Sequence, residues 1–481
     1  MKFRLFATGL ILLTTRSLFA EEVPDYFTQP TEVPDQREWE TGAQPLPPIA
    51  DIVAKPAQPF PVYGIYLWGD EYQKAHAEIE KMGVRSIRLS GPTSEAEEAL
   101  LIAAEKGVEV MFTVSNATER ERKKGVRWNR PAYESDEAYL EAMSESFNGF
   151  LDEYGPNGAL YAGTGFESPI RAIEILNEPN YQYMIPDRMP REEVEAEREA
   201  LYAKVLPMMS EIIYSHPNTL PIVGFSCGGG GATRADFRFV EGVYEKSEAG
   251  LHETYDIFST HPYMKGAPPE AYKIKSWGPV AMSKNLAEMR AFLSEQGAEK
   301  PVWFTEVGWE IGHEYGGRYD VPDKRKPEML TPELHGAFVV RMYLWAMRLG
   351  VERVFIMHLH DTDNYNGGLM TRSSLKWRPA AFAIQNLIQR MPNPKLIAAL
   401  SDGEGDSYIY EFISDYTQDS PNHVVVAWNV LGPTEVEIPV SGTEIKIYDM
   451  VGNEKVLPVL EGKVKVTIGP YPLYIDSVSA P

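Results

Sequence analysis

Residues 172–181, "AIEILNEPNY", run through apolar and β-branched positions and then stop on an amide, a carboxylic acid and a proline. A short apolar run without alternation reads as a strand buried on both faces, as in a parallel sheet covered by helices. Its last residues, Asn177 and Glu178, are then polar groups presented at the C-terminal end of that strand, with Pro179 turning the chain behind them. Seven other runs share this build: "VYGIYLW" (62–68), "VRSIRLS" (84–90), "VEVMFTVS" (108–115), "LPIVGFS" (220–226), "YDIFSTH" (255–261), "PVWFTEVG" (301–308) and "VERVFIMHL" (351–359). The run at 170–176 is fourth in this series of eight.

Helical patterns lie between the runs. In "REEVEAEREALYAKVLPMMSEIIYSH", Val194, Leu201, Val205, Met208 and Ile212 recur at helical spacing. "HGAFVVRMYLWAMRLG" ends in Gly350, a helix stop, with Tyr343 and Trp345 at core spacing. Strand–helix units repeated eight times over roughly 330 residues predict an α/β fold, the (β/α)8 TIM barrel. A doubly wound sheet would favour a glycine-rich fingerprint at its first turn, and "IYLWGDEY" has none. From about Pro394, "SYIYEFI", "HVVVAWNV", "EVEIPV", "EIKIYDM" and "KVKVTI" alternate between turn residues, the pattern of a small all-β, sandwich-like domain. The expected division is a signal peptide at 1–20, an extended Pro-rich lead-in at 21–61, the barrel at 62–392 and the β domain at 393–481. With barely any linker in "QRMPNPKLIAAL", that domain reads as a structural companion of the barrel.

The first twenty residues carry two early cations, an apolar centre too short to span a bilayer and a terminal Ala, which predicts export and no membrane anchor in the mature form. Hydrophobic residues at 43% suffice for a large core, and a formal net charge of −23 disfavours nucleic acid and anionic membranes as partners. One cysteine, Cys227, excludes an internal disulfide framework, and beside "SCGGGGATR" it reads as an inert buried thiol. Those glycines lack the Lys-Ser/Thr ending of a phosphate cradle and read as a loop over a cleft. "TERERKKG" (118–125) reads as a solvated face.

Barrel sites form at the C-terminal ends of strands. There the fourth run offers Asn177 and Glu178, the seventh Glu306, the second Arg88, the sixth His261 and Tyr263, and the eighth His358, His360 and Asp361. Carboxylates ending strands four and seven face each other across a barrel mouth. That suits glycoside hydrolysis, with one acid donating to the leaving oxygen and the other acting at the anomeric carbon. Arg88 would favour the ionised form of Glu306, Tyr263 would donate to the same carboxylate, and Asn177 suits a sugar 2-hydroxyl.

"ILNEPN", "FTEVGW", "VRSIRL" and "HPY" in strand order resemble the clan A retaining glycoside hydrolases, of the family 5 or family 39 type. The resemblance implies Glu178 as acid/base and Glu306 as nucleophile, with Arg88 and Asn177 as their partners and His261 and Tyr263 in the same subsite. It implies a carbohydrate substrate and no metal or organic cofactor. Where many clan members carry a Trp on strand eight, "VFIMHLHD" offers Met357 or His358. Trp309, Trp277 or Trp128 would then supply the sugar platform, with His358 and Asp361 as further substrate contacts.

Other readings stand beside these. Glu174 reads as structural, paired with Arg171. His261, His358, His360 and Asp361 suggest a metal-dependent hydrolase, against which strand one lacks the His pair of barrel metal-hydrolases; substrate contact or plain structure is the preferred reading of the His cluster. A catalytically inactive carbohydrate-binding barrel is the remaining rival. Sugar identity, linkage and exo or endo action depend on loop shape, which no motif here encodes.

Overall fold

The computed structural model describes residues 25–31, 33, 39–42, 44, 46–54, 61–90, 93–114, 135–181, 191–229, 235–248, 250–264, 266–274, 281–312, 330–362, 365–420 and 422–477. The targeting segment expected at 1–20, Trp128, Trp277, the charge run at 118–125 and Gly230 and Gly231 lie outside these residues.

All eight apolar runs form strands: Tyr63–Trp68, Ser86–Ser90, Glu109–Val114, Ile170–Ile175, Ile222–Gly228, Ile257–His261, Val302–Val307 and Arg353–Ile356. They pair in parallel and in sequence order, and the eighth closes on the first through Val354 against Tyr63 and Ile356 against Ile65. Inside the barrel, Met111, Ala172, Val223, Trp303 and Phe355 form an apolar layer. Two residues further along their strands, Thr113 and Glu174 make a polar layer with Arg88. That step of two moves each side chain up the same face of its strand.

The helix Arg191–Ser215 buries Leu201, Tyr202, Val205, Leu206, Met209 and Ile213, whereas Met208 and Ile212 are half-buried. The core-facing stripe is therefore centred about one residue C-terminal to the expected one. The helix Pro332–Arg348 is capped by the Thr331 hydroxyl and ends before Gly350, whose φ of 69° fits the left-handed stop.

The C-terminal domain stacks a six-stranded antiparallel sheet on the pair Thr434–Pro439 and Lys463–Ile468. Besides the strands expected, it contains Lys395–Asp402, Glu454–Pro458 and Leu473–Ser477. Alternation along Ser407–Ile413 and His423–Asn429 divides two cores. Val425 and Ala427 face the sandwich interior, while Tyr410, Val426 and Trp428 join the barrel's cluster. A buried barrel ion pair meets the β domain at this junction: Arg341 Nε donates to Glu270 Oε1 at 2.9 Å, and Trp428 Nε1 of the β domain donates to the same oxygen at 2.9 Å. The lead-in is more regular than expected. Trp39–Glu40 pairs with Lys273–Ile274, Ile49–Val53 is helical, and the Tyr26 amide donates to Asp449 of the β domain.

Candidate active site

Arg88 organises the polar layer. Its Nε donates to Glu174 Oε2 at 2.8 Å, Nη1 to Glu306 Oε2 at 2.7 Å and Nη2 to Asn177 Oδ1 at 2.6 Å. The guanidinium lies 4.4 Å from the centre of the Tyr66 ring. The partner of Glu174 is thus Arg88, not Arg171, which donates to the Ser168 carbonyl. Burial by itself would raise the pKa of Glu174. Arg88, His261 and the Thr113 hydroxyl overcome this and hold it lowered.

Glu306 accepts from Arg88 through one oxygen and from the Tyr263 hydroxyl, at 2.6 Å, through the other. Burial, and then Glu306 itself, pushes the Tyr263 phenol well up, so the hydroxyl stays a donor. Opposite, Glu178 sits just past the fourth strand with φ 45°, two residues after Leu176 at φ 64°. Left-handed backbone at non-glycine residues stores strain, and here it turns the acid toward the barrel axis. The turn is tied down by its neighbour. The Glu178 amide donates to Ser226 O at 3.1 Å, Asn180 Nδ2 donates to Gly228 O at 2.7 Å, and the Gly228 amide returns a bond to Asn180 Oδ1 at 3.0 Å. A Cβ on Gly228 would lie 2.7 Å from Glu178 Oε1, so only glycine leaves the carboxyl its place.

His261 Nδ1 is 3.1 Å from Glu178 Oε1, and its Nε2 is 3.0 Å from Thr305 Oγ1, which in turn contacts the Ser259 hydroxyl. Ligating atoms of Glu178, His261 and Glu306 all lie within 4.8 Å of one another, which brings the two carboxyl groups together. Glu178 is 16% exposed at its side chain and Glu306 10%, so each is sheltered but open at an edge. Arg88 brings a positive charge directly against this cluster, through Glu306.

Three expected substrate contacts are placed otherwise. Trp309 is 1% exposed, its indole N–H donates to Ala267 O at 2.8 Å, and its ring packs edge-on against Phe338, so no face is open to a sugar. Both oxygens of Asp361 are held by Arg378, at 2.6 and 2.7 Å, and the Gly368 amide adds a third bond. His358 is 1% exposed behind the Tyr66 ring. It gathers with His360 around Glu71, a second ligand-bearing group, rather than with His261 and Asp361 as a metal-hydrolase reading required. Burial pushes the Glu71 carboxyl up to about 8 and the His358 imidazole down to about 4.

Among the described residues, two open aromatic faces belong to positions that the sequence patterns did not single out. Trp68, the last residue of the first barrel strand, is 40% exposed with its ring 5.9 Å from Tyr66. Tyr181 is 45% exposed, and its ring lies against Gly228 next to Glu178. The signal was present: Trp68 stands at the C-terminal end of an apolar run, the region that also carries Glu178 and Glu306. Cys227 is fully buried with its thiol pushed well up, which leaves it inert.

No family model matches this sequence, and no curated protein matches it. Solved structures do share the fold. A family 39 glycoside hydrolase of the gut symbiont Bacteroides cellulosilyticus WH2 aligns over 86% of this chain and 80% of its own, at 18% identity and a TM-score of 0.62. A family 44 xyloglucanase of Paenibacillus polymyxa aligns over 88% and 98%, at 12% identity and a TM-score of 0.54. A family 39 β-xylosidase of Caulobacter crescentus aligns over 89% and 98%, at 14% identity and a TM-score of 0.51. The barrel with its appended β domain is an architecture this chain shares with glycoside hydrolases.

Proposed function

We propose that this protein is an exported retaining glycoside hydrolase acting on a β-linked oligo- or polysaccharide. The observation that carries the reading is the close approach of Glu178 and Glu306, with one carboxylate oxygen of each within 4.8 Å of the other. Retaining enzymes hold their two carboxyl groups about 5–5.5 Å apart, whereas inverting ones leave about 6.5–9.5 Å for a water.

In the first step Glu306 attacks the anomeric carbon while Glu178 gives its proton to the departing oxygen. In the second, Glu178 takes a proton from water, which displaces Glu306 from the sugar. Arg88 and Tyr263 hold the two oxygens of Glu306 and so aim it. His261 suits the changing duty of Glu178. It donates through Nδ1 to the carboxylate and accepts through Nδ1 from the acid, and Thr305 can serve Nε2 in either tautomer. With Oδ1 taken by Arg88, Asn177 has its NH2 left to donate to a substrate hydroxyl.

The test begins with a panel of aryl β-glycosides and plant, algal and fungal polysaccharides, recording product size and the anomer first released. The β anomer should appear first. Glu306→Ala should abolish turnover. Glu178→Ala should keep turnover on activated aryl glycosides, which need little protonation, and lose it on natural linkages. Near-wild-type activity in Glu306→Ala, or sugar binding without turnover across the panel, would overturn the reading.

A further inference from the structure

Away from the two catalytic carboxylates, one buried cluster has no role in the reaction just described. Glu71 stands in the first turn of the helix Gly69–Met82, and His358 and His360 follow the eighth barrel strand. All three are buried, with His358 1%, Glu71 6% and His360 8% exposed. Their ligating atoms lie within 4.8 Å of one another.

The tautomers follow from the backbone. His358 Nδ1 is 3.2 Å from the His360 carbonyl, and His360 Nδ1 is 2.9 Å from the Asp361 carbonyl. A carbonyl only accepts, so each Nδ1 carries the proton and each Nε2 keeps a bare lone pair. Both lone pairs meet the Glu71 carboxylate: His358 Nε2 is 3.4 Å from Oε2 and His360 Nε2 is 3.4 Å from Oε1. His358 Nε2 is buried and makes no hydrogen bond among the described residues. A buried polar atom without a partner is costly, and a proton on Glu71 could serve only one of the two lone pairs. Four-coordinate zinc resolves both difficulties, since bonds of about 2.0–2.1 Å set tetrahedral ligand atoms about 3.3–3.4 Å apart. The hydrogen bond from each Nδ1 to a carbonyl is also the support that metal-bound imidazoles require.

We propose that Glu71, His358 and His360 form a zinc site that ties the end of the eighth strand to the helix after the first. The donor set of two imidazoles and one carboxylate suits zinc and leaves a fourth position for water. The same carboxylate accepts from the Trp68 amide at 2.8 Å, so the ion anchors the backbone of the exposed indole at the cleft. This assignment revises the sequence reading of the His cluster. Glu71 was missing there, and Asp361, which belongs to Arg378, stood in its place.

The test uses the full chain, with metal content measured on the purified protein and after chelator treatment and reloading with zinc or cobalt(II). One zinc per chain is expected, with the visible spectrum of tetrahedral cobalt(II) on substitution and an unfolding midpoint that rises with zinc concentration. Glu71→Gln and His360→Ala should lose metal and that rise, while Glu306→Gln keeps both. Wild-type protein that binds no stoichiometric metal in excess zinc overturns the proposal, whatever the variants do, and leaves a proton on Glu71 to serve one of the imidazoles. Metal kept in Glu71→Gln but lost in Glu306→Gln also overturns it, by moving the ion to the catalytic acids. None of these readouts depends on turnover.

Discussion

Replacing Arg88 by Met tests the electrostatics beneath the site. Glu174 is fully buried and takes its charge compensation from Arg88, with hydroxyls of Thr113 and Ser226 adding bonds. Removing one member of a buried pair leaves an uncompensated charge and costs about 3–5 kcal/mol. With an unfolding entropy of about 2.1 cal/mol/K per residue, a chain of 481 residues loses roughly 3–5 °C in its midpoint for that cost. The pH dependence is the sharper readout. In the wild type the depressed pKa of Glu174 contributes stability that is present above the unfolded carboxyl value of about 4.3, and it is lost as pH falls through the folded value. Without Arg88 the largest influence opposing burial is gone, and that pKa rises. The carboxylate then destabilises the fold at neutral pH and ceases to do so once protonated. The gap between wild type and Arg88→Met should therefore be full at pH 7 and shrink toward pH 4.5. Adding Glu174→Gln to Arg88→Met should recover most of the loss. Thermal unfolding followed by circular dichroism at both pH values measures this. A gap that does not change with pH, or one below about 1 kcal/mol as for an exposed pair, would refute the assignment of Glu174 as a buried charge dependent on Arg88.

The Glu306 and Glu178 variants described above test the chemistry, and three further outcomes test the surroundings. Trp68→Ala should raise KM for oligosaccharides about 5–30-fold with kcat nearly unchanged, since an open aromatic face offers roughly 1–2 kcal/mol of apolar contact; an unaltered KM across chain lengths would exclude the platform. Glu270→Ala should cost about 3–5 kcal/mol in thermal unfolding by stranding the fully buried Arg341, and adding Arg341→Met should recover much of it. A loss below about 1 kcal/mol would mean that water reaches the junction between barrel and β domain. His335 is fully buried, neither ring nitrogen has a partner among the described residues, and burial, helped by Arg378, pushes its pKa down to about 3. The unfolded chain takes up the proton first, so stability falls as pH drops below about 6.5, by about 1.4 kcal/mol per unit. His335→Leu should remove that slope, and urea unfolding at pH 7 and pH 5 should differ between the two proteins by about 2 kcal/mol. Parallel pH profiles would contradict it.

The barrel was legible because a strand buried on both faces must be apolar throughout, and eight such runs separated by helical periods leave few ways to close. The polar residues at strand ends were legible for the same reason: Asn177, Glu178 and Glu306 break apolar runs that have no local need of them. Among the β-domain strands that escaped, Glu454–Pro458 has mostly exposed side chains and so no apolar pattern to show. What periodicity could not supply was partnership. Arg171 is nearer Glu174 in the chain, but the closed sheet brings Arg88 to it across the barrel interior. Glu71 meets His358 and His360 only because the eighth strand pairs with the first. Trp309 looked available for stacking until packing against Phe338 covered it. Local sequence sets which face of an element is apolar, since that depends on neighbours three or four residues away. Which charges, lone pairs and rings meet is set by strand register and barrel closure, and these are properties of the whole chain at once.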